Sequence, residues 1–361
     1  MNIKMLTSAM GLGTYVPAVQ VLEYLRAQGN TVTLELFENY FNEEVLNKYL
    51  KNKKEYHRSF KVAKLGHKLA EKKLGNVLEE EDEEKILKRW ESEKIEKFII
   101  FSGNWIPVIE DYRKRAKDES RLKAIVVHMD IGTAPSWKHF DNADHFYKEI
   151  LPIDEMGVQF LFEVPRKGIK QDVSKGEKIF FIHGGGWGMG DYRERKSELQ
   201  EAIDCKVIEL AHAKEEVKEE KNTTYYLLDP EWKPWEPDEH GEYSFPSMRN
   251  GETNERLDNQ NMKALLDIYQ PCTAIISKPG GGTVNDAILT ETPVVFIEPV
   301  AEHERKNEEV FEKLGLGISF TKWRETGFSV DVLADIQESI RRNKAGKPGL
   351  GAYIQSLLKG E

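Results

Sequence analysis

The sequence predicts an α/β fold in two halves, each built on a parallel sheet with helices on both faces. Short, continuous apolar runs recur, each followed by a glycine-rich or polar loop and then by a segment of helical periodicity; this is the pattern of strands buried on both faces. The same order appears on either side of a polar, lysine-containing stretch at 166–177 that includes Gly168 and Gly176. A length of 361 residues accommodates two cores at roughly 100–200 residues per domain.

The elements follow in order. Residues 3–8 form an apolar run ending at Ser8. Gly11-Leu12-Gly13-Thr14-Tyr15-Val16-Pro17 comes next, with Pro17 placed to open a helix whose buried positions are Ala18, Val19, Val21, Leu22 and Leu25. Gly29-Asn30 stops that helix, and 31–37 alternates as a strand. Residues 98–101 and 124–127 are further buried strands, followed by Ser102-Gly103-Asn104 and by a loop over 128–135. Between them, 39–97 is highly charged and helix-favouring, with an acidic run at 79–84; it reads as solvated helical surface or as a flap over a cleft. No apolar face in it is pronounced enough to predict a membrane or carrier-protein surface.

The second half repeats the grammar: strand 178–183, glycine-rich turn 184–190, helix 191–202 and strand 206–210. From Asn222 to Asn254 the chain is rich in Trp, Pro and acidic residues, and Trp232, Trp235 and Tyr243 make it too aromatic for a flexible linker. It is expected to be an ordered excursion, its aromatics packing the insertion or stacking on a base or sugar. Then come helix 262–269, strand 273–277, turn 280–282, helix 283–289, strand 294–298, and terminal helices at 330–341 and 353–358.

Composition bounds the function. With 52 Lys+Arg against 62 Asp+Glu, the chain lacks the positive field that non-specific nucleic-acid binding requires, so no nucleic-acid partner is expected. At 39% hydrophobic and 10% aromatic residues it is a foldable globular chain. No run approaches the ~20 apolar residues of a membrane span, and the N-terminus turns polar too soon for a signal peptide, so a cytoplasmic location is expected. Cys205 and Cys272, each beside an apolar run, are expected as buried reduced thiols. No His/Cys/Asp group has metal-ligand spacing, and no metal site is expected. Neither a Gly-x-Ser-x-Gly elbow nor a Walker Gly-Lys-Ser/Thr occurs.

Three glycine loops bear on chemistry. Gly11-x-Gly13-x-x-Val16, with Glu35 at the distance of a ribose contact, superficially fits a dinucleotide fingerprint, although Val16 and Pro17 depart from it; close helix-on-sheet packing is the other reading. His183-Gly184-Gly185-Gly186-Trp187-Gly188-Met189-Gly190 carries five glycines in seven positions before a helix. Gly185, Gly186 and Gly188 would let backbone N–H groups approach a phosphate there. In Ser277-Lys278-Pro279-Gly280-Gly281-Gly282-Thr283-Val284-Asn285-Asp286, the glycines and the Thr283 hydroxyl at a helix start suit a diphosphate. Asp286, one turn on and on the same face as Thr283, suits the two hydroxyls of a ribose. Two phosphate cradles and a diol acceptor in one half suggest a nucleoside-diphosphate ligand.

Residues 277–307, with Thr292-Pro293-Val294-Val295-Phe296 and Glu302-His303-Glu304-Arg305-Lys306-Asn307, resemble the donor-binding signature of GT-B glycosyltransferases, in the region shared by MurG-like enzymes and the UDP-glycosyltransferase superfamily. The likeness extends more loosely to the first loop and to 178–190. It implies the GT-B fold, two Rossmann-like domains with parallel sheets facing across a cleft. It implies an acceptor-binding domain at 1–165 with the charged insert at about 39–97, a linker at 166–177, a nucleotide-sugar domain at 178–345, and a final helix in 346–361 packing back on the first domain. By position, Gly281, Gly282 and Thr283 would hold the diphosphate, Asp286 the ribose, and His303 with Glu304 the sugar hydroxyls. Gly13 and Thr14 would lie on the donor side of the first loop, with Thr14 or Tyr15 able to touch acceptor or sugar.

The sequence departs from the family at three places: Asp286 stands for a Glu, His303-Glu304 for an acid–amide pair, and residues 13–17 lack the His that commonly serves as base. Asp130, at the end of strand 124–128 where the family places a cleft Asp, is the replacement the resemblance implies, and His128 is the next candidate. The expected activity is metal-independent, inverting transfer of a sugar from an NDP-sugar co-substrate, UDP- or dTDP-linked, to a small-molecule acceptor, with no cofactor. Lys278 or Arg193 would help neutralise the leaving diphosphate. A non-catalytic nucleotide-sugar-binding protein and an NDP-sugar 2-epimerase are the alternatives.

Overall fold

The structure is a computed structural model, and it describes residues 1–70, 78–138, 140–164 and 170–360. Residues 71–77 of the charged insert and 166–169 of the expected linker lie outside the described residues.

The first half runs β1 (Asn2–Thr7), α1 (Leu12–Ala27), β2 (Thr31–Leu36), α2 (Glu43–Arg58), α3 (Phe60–Ala70), α4 (Glu80–Glu93), β3 (Lys97–Ile100), α5 (Ile106–Arg115), β4 (Lys123–Val127) and β5 (Tyr147–Ile150). Its sheet is wholly parallel in the order β2-β1-β3-β4-β5. A short antiparallel ribbon, β6 (Ile153–Asp154) with β7 (Gly157–Val158), follows.

The second half runs β8 (Ile179–Ile182), α6 (Tyr192–Ala202), β9 (Lys206–Ala211), β10 (Thr223–Leu228), β11 (Met248–Asn250), α7 (Lys263–Tyr269), β12 (Ala274–Ser277), α8 (Gly281–Thr290), β13 (Val294–Phe296), α9 (Glu302–Lys313), β14 (Gly317–Ser319), α10 (Phe320–Glu325) and α11 (Val330–Lys344). Its sheet is β11-β10-β9-β8-β12-β13-β14, parallel except for β11. The last helix, α12 (Leu350–Lys359), buries Leu350, Ile354 and Leu358 in the first half's core beside Leu22 and Leu25 of α1.

The apolar runs do what continuous hydrophobicity requires. Ala274, Ile275 and Ile276 of β12 are completely buried, and so are Ile99 and Ile100 of β3, because helices cover both faces of each central strand. Strand order reverses between β1 and β3 in the first sheet and between β8 and β12 in the second. In open α/β sheets the crevice beyond the strand ends opens at such a reversal. The second-half reversal brings both glycine loops together, because one follows β8 and the other follows β12.

Several elements differ from expectation. Helix α1 begins at Leu12, so Pro17 is its sixth residue and lies inside it where a helix opening was expected; lacking an N–H, it leaves the Gly13 carbonyl without its i→i−4 donor. Helix α8 begins at Gly281, placing Gly281, Gly282 and Thr283 in a helical turn where a turn and a later helix start were expected. β10 forms from the alternating Thr223-Thr224-Tyr225-Tyr226 run, which the neighbouring charges obscured, and pairs in parallel with β9. β5, β11, β14 and α9 were not anticipated. Both cysteines are free and buried.

Candidate functional site

The β12–α8 loop is the centre of the candidate site. Helix α8 has Gly280 as N-cap in an extended conformation, with no side chain of its own loop capping it. The group that meets its first amide comes from the other half: Asp130, just past β4, accepts a hydrogen bond from the Gly281 N–H at 2.9 Å and another from Asn307 Nδ2 at 2.8 Å. A Cβ on Gly281 would fall on the Met129 carbonyl, and one on Gly282 would lie 3.0 Å from the Gly13 Cα. Glycine is therefore required where the halves touch. Gly132 likewise abuts the backbone of His303 at the start of α9.

Lys278 is buried beside this turn and pairs with Glu304 at 2.5 Å, while Glu304 also accepts from the Val300 N–H at 2.7 Å. Burial would raise the Glu304 carboxyl, but Lys278 and His303 outweigh it and hold it below the ordinary carboxylate range. Glu304, expected to face the sugar hydroxyls, here pairs with Lys278 and the entry of α9. His303 is half-buried beside Gly132, on the same turn. Asp286 faces inward to Tyr269, whose hydroxyl donates to it at 3.2 Å, and burial pushes its carboxyl up to about 7. Thr283, one turn earlier, is also buried.

The second glycine loop folds as a short 3₁₀ turn over Gly185–Trp187, with Gly185, Gly188 and Gly190 in left-handed or related backbone regions that only glycine reaches freely. Gly185 faces the Lys278 side chain; Gly186 packs on Leu12 of α1, and Gly188 sits beneath His57 and His212. His183, at the loop entry, is buried with Nε2 unpaired among the described residues, and burial with Lys278 nearby pushes its imidazole down to about 3.

The charged insert closes over this loop. His57 of α2 engages the Gly188 carbonyl at 2.8 Å and the Glu216 carboxylate, Lys64 of α3 pairs with Glu298 at 2.9 Å, and Ala63 packs with Met189 and Val300. His67 of α3 lies within the electrostatic reach of Lys278, Glu304 and His303; burial pushes it down to about 4. Sequence reading missed this, because helical charge patterning carries no sign of which side chains cross to the other half.

Other expected site residues have partners within the fold. Arg193, offered as a diphosphate counterion, is paired to Glu209 and Glu216. Thr14 donates to the Ser8 carbonyl at 3.0 Å, and buried Tyr15 donates to the Ser244 carbonyl at 2.7 Å, so both hold structure. His128 contacts Glu149 and packs between Trp137 and Phe140. The dinucleotide reading of the first loop fails on two counts. Buried Glu38 accepts from the Ser8 hydroxyl and from the Ala9 and Met10 amides, filling the nest a pyrophosphate would need. Glu35 is held by Lys4, Arg89 and Trp90. The aromatic excursion is ordered, and it packs on the first half: Trp235 and Phe245 join that core, and Trp232 meets Tyr15 edge-on. A shallow cavity of about 310 Å³, lined by Glu312, Lys322 and Asp335 among others, shares no residue with the glycine loops or with Asp130, Lys278 and Glu304.

Two doubly wound α/β halves, with glycine loops of the second at its strand-order reversal and loops of the first pressed against them, define the GT-B fold. Many solved structures of similar fold are glycosyltransferases. Acinetobacter baumannii MurG is 12% identical with a TM-score of 0.54, the alignment covering 100% of this chain and 99% of that one. The glycosyltransferase VinC, solved in complex with dTDP, is 12% identical with a TM-score of 0.56, covering 99% of each chain. Among curated proteins, a processive diacylglycerol beta-glucosyltransferase of Bacillus cereus (strain G9842) is 32% identical over 71 residues, which is 17% of this chain and 18% of that relative. No family model matches the chain.

Proposed function

We propose that this chain is a glycosyltransferase that moves a sugar from a UDP- or dTDP-linked donor to a hydroxylated or amine-bearing acceptor. The observation that carries the reading is the convergence, at one strand-order reversal, of two glycine loops, the N-terminus of α8 and the buried cation Lys278. A VinC structure that holds dTDP on a similar fold supports it. The donor diphosphate would lie over the amides of Gly281 and Gly282, with Lys278 and the α8 dipole countering its charge as it leaves. Asp286 would take the ribose hydroxyls, Gly185 would face the phosphates from the other loop, and His303 would reach the sugar.

In a direct displacement, the acceptor oxygen or nitrogen bonds to the anomeric carbon as the carbon–oxygen bond to the diphosphate breaks. Configuration inverts, and the acceptor proton passes to a carboxylate on the first-half side, the role proposed for Asp130. A lipid acceptor, of the kind named for the Bacillus cereus relative, is favoured by one observation. Leu50, Val62 and Leu65, on α2 and α3, are exposed among eight Lys/Arg and three Glu between residues 43 and 70.

The test is thermal stabilisation by UDP, dTDP, GDP and ADP and their sugars. Ligand at a hundred times Kd stabilises the native state by about 2.7 kcal/mol. A response to one nucleoside diphosphate that Asp286→Ala weakens is expected; silence across all of them sinks the reading, and isomerised donor without acceptor would point to an epimerase.

A further inference from the structure

Asp130 stands where the donor diphosphate is expected. Its carboxylate oxygen takes the Gly281 N–H at 2.9 Å, the first free amide of α8, and a carboxylate at that point gains from the same helix-end charge that would hold a phosphate. It is not there by chance of loop packing alone. Asn307, 1% exposed, donates to Asp130 at 2.8 Å and to the Pro279 carbonyl at 2.8 Å, and accepts from the Ile131 N–H at 2.9 Å. A single buried amide thus orients the Asp130 loop on one side and the glycine turn on the other.

We propose that Asp130 is an internal competitor for the donor site and Asn307 the residue that positions it, so that a donor diphosphate binds by displacing the carboxylate from Gly281. The inference rests on the donor reading above. It gives that reading an order of events: while the site is empty, Asp130 is occupied as a helix cap and is poorly placed to accept a proton. When a diphosphate takes the Gly281 and Gly282 amides, the two anions repel and the carboxylate is released toward the acceptor side. Donor binding and base availability then become one equilibrium. Because part of the binding energy goes to parting this contact, apparent donor affinity is lowered by the fraction of molecules in the uncapped state.

The experiment is titration calorimetry of UDP, dTDP and inorganic pyrophosphate against the wild-type chain, Asp130→Ala and Asp130→Asn, each checked for a cooperative melt. Hydrogen exchange at 280–284 is followed in parallel. Asp130→Ala is expected to bind the preferred diphosphate about ten- to a hundredfold more tightly and to exchange the Gly281 amide faster when free. Asp130→Asn, which keeps an acceptor oxygen without the charge, is expected to fall between. Both variants should lose turnover, with KM for donor falling as kcat falls. Equal or weaker binding by Asp130→Ala, with wild type binding normally, overturns the competition and leaves the donor site standing. No binding by any of the three chains overturns the donor site itself.

Discussion

Burial pushes the Asp286 carboxyl up to about 7, with Tyr269 donating to it and restraining the rise. Between about pH 4 and pH 7 the folded chain keeps a proton that the unfolded chain has lost, so this group's contribution to stability is present below pH 4 and is lost as pH rises through about 7. Asp286→Asn removes that loss. Urea unfolding at pH 4, 6 and 8 should show the variant gaining on wild type as pH rises, by ~1–2 kcal/mol at pH 8 after discounting for partial exposure, and matching it near pH 4. A difference that does not grow with pH would mean the carboxylate is already ionised in the fold. The same substitution should weaken nucleoside-diphosphate binding, since a neutral amide is a poorer acceptor for a ribose diol.

At the scale of elements, α2 and α3 carry the first half across to the second. Burial alone would raise the Glu216 carboxyl, but hydrogen bonds from His57 and the His212 amide, with the nearby charge of Arg193, hold it down to about 2. Its contribution to stability is therefore present above about pH 4.5 and lost as pH falls through about 2. His57→Ala should cost ~1–3 kcal/mol in chemical denaturation, because it leaves Glu216 short of a donor and frees the Gly188 carbonyl. Amide exchange over 184–190 should rise with it. The outer face is a different case. Leu65 is 55% exposed and touches no core, so Leu65→Ser should change stability by no more than ~0.5 kcal/mol. Sequence reading found no apolar face in this insert because lysines alternate with Leu50, Val62 and Leu65, diluting the periodic signal.

For the whole molecule, the contact between halves turns on the absence of side chains. Gly281→Ala would drive a methyl into the Met129 carbonyl and push Asp130 from its place, an overpacking worth ~1–3 kcal/mol. Gly280→Ala, one residue earlier with φ of −77° and nothing nearer than the Glu304 carboxylate at 3.7 Å, should be neutral or stabilising by up to ~1 kcal/mol. Unfolding free energies and small-angle scattering of both variants check this. Gly281→Ala is expected to be the less stable and the more expanded, and equal behaviour would show that the halves do not bear on each other there.

Strands β1 to β4, β8, β9, β12 and β13, the three glycine loops and the place of each in the chain are properties of the sequence, because apolar runs, glycine clusters and helical periodicity act over a few residues. Asp286, Thr283 and Gly281 could be singled out on spacing alone. The tertiary structure decided what occupies those loops. It put Glu38 in the first nest and Asp130 on the Gly281 amide, tied Glu304 to Lys278, and laid His57 on Gly188, all across separations of 26 to 151 residues. Carboxylates look alike in a sequence; which one reaches a free backbone amide depends on how two folded halves meet, and no local pattern carries that information.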